Sequence, residues 1–281
     1  MKKLLLSLLA IFATVAATAQ TSTAVPADEE DPYLLLCGQA DRAVADGDYE
    51  GATHRLLEAM AMRPDEPQNV LLLSNIGMLY SYMDRDSLAL STLDEALRRA
   101  PGLRTAMSAR ARVLLKLRRD KEAYSAFEAV IEADSLNADA RYYHGTMALY
   151  AGKREIAEAD FDVLKASDPT GYPTARALGM LYSLTGRERE AIPYLRRIVA
   201  VEPEAEFFAA LAGCYLALGE LSDASAIISD GMAKCPDDPE LYYYRAMLNR
   251  DRFLLDDARA DADRAVSLGL NPARAAALFT K

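Results

Sequence analysis

The chain has 281 residues, of which 51% are hydrophobic and 26% charged, and its formal charge is −10. That is enough apolar material for a large core, while the acidic excess argues against nucleic acid and anionic lipid as partners. Three cysteines, Cys37, Cys214 and Cys235, are an odd number and make no disulfide framework, so free thiols are expected.

Met1, Lys2 and Lys3, an apolar run from Leu4 to Val15, and then Ala17, Thr18 and Ala19 form the charged, apolar and small-residue parts of a secretory signal peptide, residues 1–19. The run is shorter than the roughly 20 apolar residues of a transmembrane helix. Gln20 stands where a lipid-anchored exported protein needs a cysteine. The sequence therefore predicts an exported, soluble, periplasmic or extracellular protein with no membrane insertion after cleavage. Residues 20–32, with Pro26 and the acids Asp28 to Asp31, lack an apolar period and read as a flexible linker.

From Tyr33 onward one pattern recurs, with units starting at residues 33, 70, 104, 138, 172, 205 and 239. Numbering each start as position 1, position 8 is always small: Ala40, Gly77, Ala111, Gly145, Gly179, Ala212 and Ala246. Position 20 is always alanine: Ala52, Ala89, Ala123, Ala157, Ala191, Ala224 and Ala258. Small residues in fixed phase mark the crossing point of two closely packed helices, whose axes lie about 8–10 Å apart. Larger side chains interlock around that point: Leu56, Leu93, Phe127, Phe161, Leu195 and Ile228 at position 24, and Tyr80, Leu114, Tyr182 and Tyr215 at position 11. Pro64, Pro101, Pro169, Pro203 and Pro236 at position 32 end the second helix, because proline lacks the N–H and fixes φ. The seventh unit is degraded, and Asn271 and Pro272 open a short capping helix near residues 271–281.

This pattern closely resembles the tetratricopeptide repeat. The resemblance implies an all-α fold, a right-handed superhelical solenoid of antiparallel helix pairs with a C-terminal capping helix, forming a single domain over residues 33–281. It also implies a concave groove that holds extended or helical peptides.

Chemistry has no visible vehicle: there is no glycine-rich phosphate loop, CxxC, HExxH or nucleophile elbow, so no enzyme, cofactor or metal is expected. His144, at position 7, reads as a satisfied core histidine and His54 as an outer-face residue. Asp257, Asp261 and Asp263 read as a solvated helix face, since the glycine of a calcium loop is missing.

At 100° per residue, positions 2, 5, 9, 12 and 13 face away from the packed stripe of the first helix. They carry Met78, Tyr82, Arg112, Lys116, Tyr142, Tyr150, Arg176, Met180, Tyr243, Met247 and Arg250. Tyrosines supply apolar area with a polar tip, and guanidinium groups pair carboxylates, so this stripe is predicted to receive an acidic or amphipathic segment of a partner protein. The bland reading is that the tyrosines pack between helices and the cations pair with nearby acids. The two-carboxylate clamp of chaperone-binding relatives has no counterpart, since only Asn75 matches among Cys37, Asp41, Asn75, Thr105 and Ala109. The expected class is a non-enzymatic protein-binding scaffold of the cell envelope. The alternative is a self-associating structural solenoid within an envelope assembly.

Overall fold

The computed structural model describes residues 31–280, so the predicted signal peptide and most of the predicted linker lie outside the described residues. Among the described residues there are fifteen helices and no strand. In chain order they are α1 (Pro32–Ala45), α2 (Tyr49–Met62), α3 (Asn69–Tyr82), α4 (Asp86–Arg99), α5 (Arg104–Lys116), α6 (Asp120–Ala133), α7 (Ala138–Tyr150) and α8 (Arg154–Ser167). They continue as α9 (Tyr172–Leu184), α10 (Glu188–Val201), α11 (Ala205–Ala217), α12 (Leu221–Lys234), α13 (Pro239–Asp251), α14 (Leu255–Ser267) and α15 (Pro272–Ala277).

The first helix of each of the seven hairpins ends in the same device. The residue at position 15 takes a left-handed φ in Gly47, Asp84, Arg118, Gly152, Gly186, Gly219 and Phe253. The next N–H then donates back to a carbonyl five residues earlier, as Asp48 does to Ala43 and Leu254 to Asn249, both at 2.8 Å. This is a Schellman motif, which satisfies carbonyls that the helix end would otherwise orphan. Helix starts use side chains at several places. Asp31 accepts from the Tyr33 N–H, Asp48 from Gly51, Asp238 from Glu240 and Leu241, and Asn271 from Ala273.

The chain forms two compact units dividing between Ala140 and Arg141. In the first, α1 packs on α2, α3 on α4 and α5 on α6, and α2 also packs on α3 and α4 on α5. In the second, α9 packs on α10, α11 on α12 and α13 on α14, with α15 against α14. The small-residue register explains these pairings. All seven alanines at position 20 have 0% exposure, and a Cβ on Gly77 would stand 2.6 Å from Leu93. The position 24 side chains fill the space around this contact and are fully buried, each worth about 1.5–3 kcal/mol of apolar burial. At position 11, Leu114, Tyr182 and Tyr215 are buried and Tyr80 is half-buried.

His144 is buried and its Nδ1 lies 2.6 Å from Asp160. The aspartate run of α14 corrects the sequence reading at one position. Asp257 and Asp263 are exposed, but Asp261 is buried and accepts hydrogen bonds from Arg245 and Asn249. A carboxylate turned inward needs such donors to offset its desolvation. All three cysteines are free, with Cys37 and Cys214 buried.

Candidate functional site

The predicted stripe residues fall into two sets, one in each unit. In the first unit Met78 is only 5% exposed and therefore offers no binding surface there. Tyr82 stacks on Tyr49 with ring centroids 5.5 Å apart. Lys116 donates to the Ser81 carbonyl at 2.6 Å and pairs with Asp84 and Asp86 at 2.7 and 3.0 Å. Arg112 lies 3.8 Å from Asp139. The basic surface expected from these two side chains is thus balanced by acids of the same unit.

In the second unit the stripe residues come together. Arg176 sits among aromatic faces, 5.0 Å from the Phe207 ring centre, 5.6 Å from Tyr142 and 5.8 Å from Tyr172, and its Nη1 lies 3.7 Å from Glu202. Cation–π attraction and this carboxylate hold the guanidinium in place. Burial pushes the Tyr142 hydroxyl up to about 12, with Arg176 opposing it, so the phenol stays neutral. A small cavity of about 200 Å³ lies beside them, reaching Tyr150, Met180 and Glu206.

Next to it runs an open trough of about 1040 Å³, lined by five predicted residues, Tyr150, Met180, Tyr243, Met247 and Arg250. They come from α7, α9 and α13, and the floor between α9 and α13 is α11. Tyr150 is 64% exposed, and its hydroxyl donates to Glu206 at 3.3 Å. Burial and then Glu206 raise the Tyr150 pKa above its ordinary value. Tyr243 and Tyr244 meet edge to face with centroids 5.6 Å apart, and Arg274 lies over Tyr243 at 4.2 Å.

The trough exists because of small residues outside the predicted set. On α11, positions 6, 9 and 13 are Ala210, Gly213 and Ala217, whereas position 9 is Met180 on α9 and Met247 on α13. Small side chains flanked by methionines leave a depression with apolar walls. A Cβ on Gly213 would stand 3.1 Å from the Tyr244 ring, so this glycine also seats that tyrosine. The register alone held the signal: unit six is the one with three small residues at those positions, while Tyr143, Thr146 and Tyr150 or Tyr244, Met247 and Asp251 stand there in units four and seven.

Serial helix hairpins with small residues at fixed crossing positions and a left-handed residue at each first-helix end decide the fold. It is the tetratricopeptide repeat fold. Residues 184–248 match the tetratricopeptide repeat family model. A tetratricopeptide repeat protein from Parabacteroides merdae is 21% identical, covering 88% of this chain and 97% of its own, with a TM-score of 0.62. PilW, a type IV pilus biogenesis factor, is 20% identical over 76% of this chain and 98% of its own, with a TM-score of 0.61. YrrB, a tetratricopeptide repeat protein with an unusual peptide-binding site, is 18% identical over 66% of this chain and 96% of its own, with a TM-score of 0.53. Among curated proteins no sequence matches the chain significantly. No group of three or more potential metal-ligating side chains gathers among the described residues, and no described helix is long and apolar enough to cross a membrane.

Proposed function

We propose that this chain is a non-enzymatic scaffold of the cell envelope that grips a segment of a partner protein. One observation carries the reading. Tyr150, Met180, Tyr243 and Met247, distant in sequence and facing away from the packed stripe, line one open trough of the second unit. Apolar walls with tyrosine hydroxyls suit a polypeptide, whose backbone needs hydrogen bonds and whose side chains need apolar contact. The N-terminal leader pattern supports export, and the peptide-binding site in the description of YrrB supports the class of partner.

The structure's ion pairs change the weight given to each kind of partner. Arg176 is enclosed by three rings and lies 3.7 Å from Glu202, so an amphipathic segment fits this unit better than an acidic one. The decisive experiment is a crosslinking pull-down from envelope extract with the wild-type chain and a Met180→Glu, Met247→Glu variant. A partner captured by the wild type and lost in the folded variant supports the reading. A partner retained equally by both removes the trough from it. Self-crosslinks alone, equal in both, would move the chain to the self-associating class.

A further inference from the structure

The charges around the trough are unevenly balanced. Its two arginines are taken: Arg274 pairs with Glu240, and Arg250 lies 2.9 Å from Asp251. The Asp238 carboxylate accepts from the first-turn N–H groups of α13. Glu188 and Glu206 remain, each without a salt bridge among the described residues, and Glu206 receives only the Tyr150 hydroxyl.

These two carboxylates stand at opposite ends. Glu206 is in the first turn of α11, while Glu188 opens α10 just beyond Leu184, near enough to Cys214 in the last turn of α11 to add to the rise that burial gives its thiol pKa. From Glu206 to Ala217 the helix rises about 16 Å, the length of roughly five extended residues. Between the ends, the floor of Ala210, Gly213 and Ala217 carries no charge and no bulk.

We propose that the trough takes a short cationic and aliphatic polypeptide segment, with a lysine or arginine near each end and apolar side chains between them. The assignment rests on the scaffold reading and adds the chemistry of the partner. Basic ends meet Glu206 and Glu188, and the aliphatic middle lies over the α11 floor between Met180 and Met247. An acidic segment would meet two like charges with no free cation of the trough to compensate.

The test is calorimetric titration of the whole chain with two capped pentapeptides, Lys-Leu-Ala-Leu-Lys and Glu-Leu-Ala-Leu-Glu. The cationic peptide is expected to bind and the acidic one not. Glu188→Gln with Glu206→Gln keeps the shape and the acceptor for Tyr150, and is expected to weaken cationic binding about five- to tenfold, as does added salt. Equal or tighter binding of the acidic peptide, no binding of the cationic one, or unchanged affinity in the double variant would each overturn the assignment. Ala217→Phe, which fills the floor, separates this failure from that of the scaffold reading. If an acidic peptide binds and Ala217→Phe abolishes it, the groove stands and its cationic preference falls. If neither peptide binds and Ala217→Phe leaves the captured partner in place, both fall. Dimerisation of the wild type that Ala217→Phe abolishes would give the trough to a second copy and also overturn the proposal.

Discussion

Nδ1 of His144 lies 2.6 Å from Oδ2 of Asp160, joining α7 to α8 through a buried polar contact. The other oxygen of Asp160 accepts from Arg141 at 2.6 Å. Asp160→Ala removes the buried carboxylate that both contact, and breaking a buried pair costs about 3–5 kcal/mol. Urea unfolding should show a loss of about 3 kcal/mol. A loss below about 1 kcal/mol would mean that the pair is solvated.

Asp41 gives a pH dependence of defined sign. Burial pushes its carboxyl up to about 6, above the ordinary value of 3.8. The folded state then holds this proton more tightly than the unfolded state, so the carboxyl is without effect below about pH 4 and lowers stability as pH rises towards 6. Asp41→Asn should match the wild type at pH 4 and exceed it by about 2 kcal/mol at pH 7, since a shift of about two pH units at about 1.4 kcal/mol each gives about 3 kcal/mol before screening at this half-buried group is discounted. Parallel denaturation curves at the two pH values check this.

Two glycines at the same position should respond differently to a methyl group. At Gly145 a Cβ would stand 2.5 Å from Cε1 of Phe161, while at Gly179 the nearest atom is Cδ2 of Leu195 at 3.1 Å. Gly145→Ala must displace an aromatic ring in a packed hairpin and should cost about 1–2 kcal/mol. Gly179→Ala needs only a small shift of a leucine methyl, and its gain in helix propensity of about 1 kcal/mol should leave it neutral or stabilising. Thermal melts should show a lowered midpoint for Gly145→Ala and an unchanged or raised one for Gly179→Ala.

Phe253 is 88% exposed and holds a φ of +64° where four of the seven hairpins place glycine. A left-handed conformation costs an L-residue about 1–2 kcal/mol, and little burial offsets it here. Phe253→Gly should therefore raise stability by about 0.5–1 kcal/mol after the extra chain entropy of glycine is subtracted. A lowered melting temperature would show that the ring makes contacts that the free chain needs.

Much of the fold could be read directly from residues. The unbroken alanines at position 20, the small residues at position 8 and the prolines at position 32 are local in sequence, because each hairpin repeats the same contact. The candidate site was only half legible. Position 9 holds Met78, Met180 and Met247, yet Met78 is buried while the other two line the trough. Helical phase sets the direction of a side chain, but exposure in a groove depends on what the adjacent helices carry. The surroundings of the cations depend on the same thing, since Arg112 and Lys116 lie against Asp139 and Asp84, from a neighbouring hairpin and a preceding turn.

The sequence by itself determined the helix pairs, their register and the residues at their crossing points, because a repeat of fixed period writes the same steric requirement seven times. Only the tertiary structure decided which part of the stripe is open and what charge it carries. The trough needs Ala210, Gly213 and Ala217 on one helix flanked by methionines on two others, and its acidity needs Arg250 and Arg274 neutralised by Asp251 and Glu240. The packing of three helices and the pairing of Arg274 with Glu240 join residues far apart in the chain, and no single period encodes them.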